Sequence, residues 1–218
     1  MNVIELRNYL LKQGKRDEFI QYFKDHFVES QNEMGVYTPG LFRIKNEENR
    51  FFWIRGFDNM GQRSRFLPAF YGGGVWKKFG PAANDMMLEW HNVYLIKPLP
   101  GNRDAFSQHK GFFAVDYYKA RDNHHTDLID LINTEYIPFL NDRNIKATLW
   151  VSEMEENDFP RLPVYQDENQ LIVVTGFNNE PEYESSLAAL TSLKPGLTAG
   201  IEELIENKDR LLLYRVEE

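Results

Sequence analysis

Arg50-Phe51-Phe52-Trp53-Ile54-Arg55-Gly56-Phe57-Asp58-Asn59 has an echo later in the chain, Gln170-Leu171-Ile172-Val173-Val174-Thr175-Gly176-Phe177-Asn178-Asn179. Each copy is an apolar run of β-branched or aromatic residues, then Gly-Phe, then Asp/Asn-Asn, then a polar segment long enough for a helix. The run predicts a buried strand, the Gly a position of close approach, and the Asp/Asn-Asn a turn and helix cap. An internal repeat of this kind governs the fold, because each copy needs the same neighbours to complete it.

Those neighbours can be read upstream and downstream. Residues 3–9 alternate, with Ile4, Leu6 and Asn8 on one face and Val3, Glu5, Arg7 and Tyr9 on the other, as a half-buried strand does. Gly14 opens a helix carrying Phe19, Ile20, Phe23 and Phe27 at helical spacing, with His26 at the edge of the stripe. A second strand is expected over 36–46, interrupted by Pro39-Gly40, before the strand at 50–57. A broken helix follows over 58–87. Arg63, Phe66, Leu67 and Phe70 form its first part, Gly72-Gly73-Gly74 interrupts it, and Val75, Trp76 and Phe79 resume it before Gly80-Pro81. Residues 88–96 read as a fourth strand. The order is β-α-β-β-α-β, the split unit of ferredoxin-like folds.

Pro98, Pro100 and Gly101 mark a boundary, so 1–98 is expected to be one unit, 99–111 a linker and 112–218 a second, diverged unit. The second half repeats the order: a strand at 112–120, a helix at 126–142 in which Pro138 should produce a bend or an irregular turn, strands at 146–154 and 170–177, a helix broken at Lys194-Pro195-Gly196, and a strand at 210–216. Ile4-Glu5-Leu6 matches Val115-Asp116-Tyr117 at an offset of 111, whereas Gly56 and Gly176 differ by 120. The nine extra residues are expected in the acidic, Pro-containing loop at 155–169.

Composition narrows the function classes. Among 218 residues, 25 Lys and Arg stand against 33 Asp and Glu, a net charge of −8, which argues against a general nucleic-acid partner. There is no Cys, which removes disulfides and thiolate chemistry. The opening residues 1–7 carry charge inside their apolar stretch and do not read as a leader, and no apolar run approaches the roughly 20 residues of a membrane span. The expectation is a soluble protein of a reducing compartment, the cytoplasm.

The strands carry large residues on both faces, Phe51 and Trp53 on one and Phe52 and Ile54 on the other. Burying one such ring is worth roughly 2–3 kcal/mol, so an open sheet face would be a liability. The expected fold class is therefore α+β, two tandem ferredoxin-like units packed sheet to sheet as an α/β barrel. Small barrels can hold one small ligand, and the face bearing Glu5, Arg7 and Tyr9 is expected to point inward, with Ile4, Leu6, Phe52 and Ile54 under the helices. Edges left at the barrel seams leave room for a homodimer.

Ile4-Glu5-Leu6-Arg7-Asn8-Tyr9 with Gly14-Lys15, and Phe52 to Asn59 with Arg63 and Trp76 beyond, resemble the NIPSNAP family over residues 3–97. The resemblance over 112–216 is only one of fold: Gly176 to Asn179 are kept, Tyr183 stands in place of Arg63, and Trp76 has no equivalent. The resemblance implies the dimeric α/β-barrel superfamily, which includes small cofactor-independent and haem-degrading oxygenases and isomerases. It implies little about mechanism, because the family's own activity is poorly defined.

Candidate chemistry centres on ionisable residues set among aromatics. Glu5 and Asp116, matched by the repeat, can form a carboxylate pair around a low-dielectric cavity, with Arg7 and Arg55 neutralising them; a purely structural ion-pair network is the plainer alternative. His91, beside Trp90 at a strand start, is a candidate general base, or simply a polar strand end. His124-His125 at a helix start and His26 on the helix stripe have equally plain readings, and the metal signal is weak. The candidate catalytic residues are thus Glu5, His91 and Asp116; the candidate ligand-binding residues are Arg7, Tyr9, Trp53, Arg55 and Trp76; no cofactor is called for. Gly72-Gly73-Gly74 lacks the order of a phosphate loop and reads as a break in the helix. Two function classes remain. One is an enzyme or binder for a small apolar or aromatic molecule inside the barrel, oxygenase- or isomerase-like if catalytic. The other is a non-catalytic interaction module with a filled barrel.

Overall fold

Strand β1 (Val3–Leu11) is the centre of the first of two units. It pairs antiparallel with β3 (Arg50–Phe57) on one side and β5 (Val93–Pro98) on the other, and β2 (Leu41–Ile44) pairs with the outer edge of β3. A short β4 (Met87–Glu89) meets the end of β1 at Leu10 and Leu11. The expected fourth strand at 88–96 is thus two pieces, with His91 in the exposed turn between them. The computed structural model describes residues 1–99, 106 and 110–216, so the expected linker at 99–111 lies mostly outside the described residues.

Two helical connections cover one face of this sheet. The first is α1 (Arg16–Phe23), a π-helical turn (Lys24–Val28) and α2 (Glu29–Asn32). Gly14 and Gly35, at φ +72° and +79°, sit at its two ends, where a left-handed residue reverses the chain at little cost. The second is α3 (Met60–Gly72) and α4 (Gly74–Met86), separated at the extended Gly73. Asn59 caps α3: its Oδ1 accepts from the Gln62 N–H at 2.8 Å, and Gln62 Oε1 accepts from the Asp58 N–H at 2.6 Å.

The second unit has the same order. β6 (Phe112–Ala120) lies between β8 (Gln170–Phe177) and β9 (Ile205–Arg215), with β7 (Lys146–Ser152) outside β8. Its helices are α5 (His125–Leu131), a π-helical turn (Ile132–Tyr136), α6 (Ile137–Asn141), α7 (Glu180–Leu193) and α8 (Pro195–Leu204). Pro138 falls in the first turn of α6, where its missing N–H costs little, and the irregularity it signals is the π turn just before it. Asn179 and Glu182 repeat the cap of Asn59 and Gln62. The two glycines that the repeat aligns are both close-approach positions. A Cβ on Gly56 would overlap the Met1 side chain, and one on Gly176 would stand 3.2 Å from the Phe113 ring.

Membership of the two units does not follow the midpoint of the chain. Met1–Lys97, Glu153–Gln166 and Val216 form the first, and Pro98–Ser152 with Asp167–Arg215 the second. No helix among the described residues is long and apolar enough to cross a membrane.

Two expectations about register are corrected. Val3 faces Phe57 and Phe112 faces Phe177, so β6 follows β1 by 109 residues rather than 111. Asp116 is therefore the counterpart of Arg7, and Glu5 that of Ala114. A slip of two preserves the face of every side chain, so alternation alone could not reveal it. Leu41 faces Trp53 and Leu149 faces Val173, an offset of 108 before the loop against 120 after it, so the β7–β8 loop is longer by twelve residues, not nine.

A third correction concerns faces. Val3, Tyr9, Phe51, Trp53 and Phe57 share one core with Phe19, Phe23 and Phe27 of the first helical connection and Phe66, Leu67 and Phe70 of α3. The face carrying Glu5, Arg7 and Arg55 thus lies under the helices. Ile4, Leu6, Phe52 and Ile54 occupy the opposite face and are also buried. Alternation assigns residues to shared faces but does not say which face the helices cover, and here both faces are apolar.

Candidate functional site

Glu5, at the middle of β1, is fully buried and surrounded by guanidinium groups. Arg55 stands directly opposite it on β3, Arg7 lies two residues along the same face, and Arg63 descends from the first turns of α3. Glu5 Oε2 accepts from Arg55 Nη2 at 2.6 Å and Nε at 2.8 Å, and from Arg7 Nη1 at 2.7 Å. Glu5 Oε1 accepts from Arg63 Nε at 2.8 Å. Burial alone would push the carboxyl's pKa up, but Arg55, Arg7 and Arg63 together outweigh it and hold Glu5 well below the ordinary carboxylate range.

Three guanidiniums, each at most 1% exposed, thus share a single buried carboxylate, an excess of two positive charges. Their remaining contacts only partly offset it. Arg7 Nε donates to the Tyr9 hydroxyl at 2.8 Å, and burial raises the pKa of that phenol further. Arg63 Nη1 donates to Asn157 Oδ1 at 2.9 Å and reaches Asp158 Oδ1, on a half-exposed side chain, at 3.5 Å. Arg55 Nη1 has only long contacts, to Gln31 Oε1 at 3.3 Å and the Tyr71 hydroxyl at 3.4 Å. Arg63 Nη2 and the Trp53 indole N–H have no hydrogen-bond partner among the described residues. Ring faces of Trp53, Phe66, Phe57 and Tyr71 lie 5.4–5.9 Å from the Arg55 guanidinium carbon, a cation–π cage that moderates its desolvation.

Beside Arg55 lies a small void of about 20 Å³, room for one or two water molecules. Tyr9, Phe27, Gln31, Trp53, Tyr71 and Trp76 are among the residues that line it. Phe27 reaches it from the π-helical turn, a distortion often found at functional sites. Trp76 depends on Gly80, since a Cβ there would stand 2.7 Å from the indole ring. Tyr71 and Trp76 meet edge to face, with centroids 4.7 Å apart, and both are half-buried, so they form the outer wall.

The inserted β7–β8 loop supplies a further wall. Its ends are fastened to β5: the Glu153 N–H donates to the Leu95 carbonyl at 3.0 Å and the Tyr165 N–H to the Val93 carbonyl at 2.7 Å. Across the span, Asn157 accepts from Arg63, Phe159 stacks on Tyr71 with centroids 6.1 Å apart, and Leu162 enters the core of the first unit.

Of the residues singled out in the sequence, Glu5, Arg7, Tyr9, Trp53, Arg55 and Trp76 come together here. His91 does not: it lies in the exposed turn after β4, against Trp90. Nor does Asp116, which belongs to a network in the second unit. It accepts from Arg210 Nε at 2.5 Å and Nη2 at 3.0 Å, and Arg210 Nη1 donates to the Tyr183 hydroxyl. His26 stacks on Phe79 at 3.8 Å, and His124 pairs with Asp127 at the exposed start of α5. Among the described residues, no group of three or more His, Cys, Asp or Glu is placed to hold a metal ion. Sequence reasoning missed Arg63, Tyr71, Gln31 and the loop at 153–166 as parts of the site. Arg63 carried a usable signal, since a charge on the apolar stripe of Phe66, Leu67 and Phe70 has to be buried with a partner.

No protein-family model matches the sequence, and neither does any curated protein. Solved structures do match in fold. A candidate monooxygenase from Lactobacillus acidophilus is 12% identical, with 99% of this chain and 94% of that chain covered at a TM-score of 0.68. A candidate monooxygenase from Fusobacterium nucleatum is 13% identical, with 99% and 92% covered at a TM-score of 0.66. At such identities the likeness is one of fold alone: an α+β fold of the ferredoxin-like kind. Structural neighbours also include an uncharacterised NIPSNAP domain protein from Burkholderia xenovorans, 16% identical, with 47% of this chain and 99% of that chain covered at a TM-score of 0.42.

Proposed function

We propose that the first unit binds a small, largely aromatic molecule between its sheet and its helices, and that the protein acts on it in an oxygenase-like manner. The observation that carries this reading is Arg55: a buried guanidinium walled by aromatic rings, with one nitrogen held only by long contacts beside a void. Buried charge in excess of its counter-ions is expensive unless it is used. The candidate monooxygenases that share the fold over nearly the whole chain support the oxygenase-like part. Arg55, Trp53, Tyr9 and Trp76 would hold the ligand, and Arg7 would fix Tyr9 and Glu5. Glu5 itself is a poor base, because its lone pairs are taken by four N–H groups.

A thermal-shift panel of phenols and hydrophobic acids, paired with oxygen-uptake measurements, tests the reading. A ligand at 100 times its Kd should add about 2.7 kcal/mol of stability. A compound that stabilises wild type, is consumed with oxygen, and leaves a folded Arg55→Leu variant unaffected supports both parts. Stabilisation without oxygen uptake leaves a binding protein. A second reading, a non-catalytic binding or interaction module, is favoured by the size of the void, about 20 Å³ where ligand pockets run to roughly 300 Å³ or more. A panel that yields no stabilising compound selects that second reading.

A further inference from the structure

We infer that the molecule bound at this site is an aromatic oxyanion, a carboxylate or ionised phenol whose charged head enters the void beside Arg55. This rests on the reading that the first unit holds a small molecule. It goes further in naming the charge.

Arg7, Arg55 and Arg63 are buried, and so is Glu5, their shared partner. Asp158 can offset one of the two surplus charges at most, and its side chain is 39% exposed and 3.5 Å away. At least one buried positive charge is left without an anion among the described residues. In an interior of low polarity such a charge is held at considerable cost, and a bound anion removes that cost.

Every other nitrogen of Arg55 is committed to Glu5 at 2.6–2.8 Å, whereas Nη1 has contacts of only 3.3 and 3.4 Å, to Gln31 and Tyr71. Both of those residues line the void, and so does Trp53, whose indole N–H is unpartnered. Gln31 is held in place by its own amide, which donates to the Phe27 carbonyl at 2.9 Å, so its oxygen stays turned to Arg55. The polar groups of the lining residues are thus Arg55 Nη1, the Trp53 indole N–H and the Tyr9 and Tyr71 hydroxyls, which can all donate, against the Gln31 oxygen, which only accepts; the balance suits an oxyanion. A neutral amide or a cation would find too few acceptors.

A void of about 20 Å³ admits a head group little larger than water but not a ring. The ring would lie at the outer wall, where Tyr71 and Trp76 are half-buried flat faces and Phe159 of the inserted loop stacks on Tyr71. No nearby group is suited to ionise the ligand: Glu5 is tied to three arginines and Tyr9 is held protonated by burial. The ligand would therefore arrive already charged.

The test is calorimetric titration of the full chain with matched pairs, benzoate against benzamide and 1-naphthoate against 1-naphthamide. The acids should bind roughly tenfold to a hundredfold more tightly than their amides, the range for hydrogen bonds to charged groups. Arg55→Gln should erase that ratio. Where that variant does not fold, Trp53→Phe keeps the ring packing while removing the free indole N–H, and should lower the ratio several-fold. Equal binding of acid and amide overturns the inference and leaves the small-molecule reading standing. A preference for acids that both variants retain also overturns it, because the acid is then held elsewhere. If no acid or amide binds, the inference fails. The small-molecule reading fails with it only if the neutral phenols of the thermal-shift panel are silent too.

Discussion

The two units share an order of elements, two π-helical turns and two helix caps, yet they spend charge differently. In the first, three buried guanidiniums converge on Glu5; in the second, Arg210 alone matches Asp116, with Tyr183 beside it. Position by position, Arg7 corresponds to Asp116, Arg55 to Thr175, Arg63 to Tyr183 and Trp53 to Val173. The second unit has a balanced pair, which a fold can tolerate without further purpose. The first has a surplus that folding alone would discourage, since hydrophobic replacements of buried ion clusters are often neutral or stabilising. The scaffold does not require the surplus, so the surplus is where function is to be sought.

The largest effect that could break this comparison comes from the carboxylates themselves. Glu5→Gln leaves three buried guanidiniums without their anion and should cost about 3–5 kcal/mol. Asp116→Asn strands only Arg210, whose side chain is 23% exposed, and should cost about 1–3 kcal/mol. Hydrogen exchange resolved to β1 and β6, with urea denaturation, separates the two; equal losses would mean that the surplus is not confined to Glu5's surroundings. The pH dependence follows the same logic. The folded pKa of Glu5 is depressed, so its contribution is present above the unfolded value near 4.3 and is lost as pH falls toward the folded one. Protection of β1 should hold from neutral pH to about pH 4 and decline below it. In Glu5→Gln the acid-dependent part should vanish.

Much of this was legible in the sequence, and the failures are instructive. The central strands β1, β3, β6 and β8, the caps at Asn59 and Asn179 and the close-approach glycines followed from local chemistry that acts within a few residues. The strand-borne part of the cluster also followed, because alternation places Glu5, Arg7 and Tyr9 on one face with Trp53 and Arg55 on the neighbouring strand; the helix-borne Arg63, Tyr71 and Gln31 did not. What alternation cannot supply is the side from which helices approach, and so the expectation of an inward-facing pocket was reversed. The repeat offset failed for a related reason. Matching Glu5 to Asp116 by charge preferred a plausible pair to the register that hydrogen bonding sets. The inserted loop's role carries no local signal, because its partners, Arg63 and Tyr71, are about 90 residues away in the chain.

That loop offers a test of intermediate size. Asn157→Leu removes the acceptor for Arg63 Nη1 and leaves a buried guanidinium with one fewer partner, at a cost of about 1–3 kcal/mol. Although residue 157 lies in the connection between two strands of the second unit, the loss should appear as faster exchange in β1 and α3, with β6 and α7 little changed. The opposite pattern would mean that the loop serves its own strands, and the first unit's outer wall would have to be sought elsewhere.

The smallest expected effect probes what the units share. Asn59 and Asn179 each have extended backbone and accept from the N–H three residues on, at 2.8 and 3.0 Å. In each unit the residue three along, Gln62 or Glu182, accepts in return from the N–H just before the cap. Removing one such cap by Asn→Ala should cost about 1 kcal/mol. The bond lengths and backbone angles are nearly the same, so Asn59→Ala and Asn179→Ala should cost the same within about 0.5 kcal/mol, and the double variant should lose their sum, since distant sites add. The difference is charge: Glu180 and Glu182 in the first turn favour the start of α7 through the helix dipole, each by about 0.3–1 kcal/mol at low salt, where α3 has no acidic residue in its first turn. The Asn179→Ala loss should therefore shift with ionic strength and the Asn59→Ala loss should not. Urea midpoints at low and high salt would show this. A salt-dependent loss at Asn59 instead would mean that the arginine cluster, through Arg63 on the same helix, reaches the cap as well.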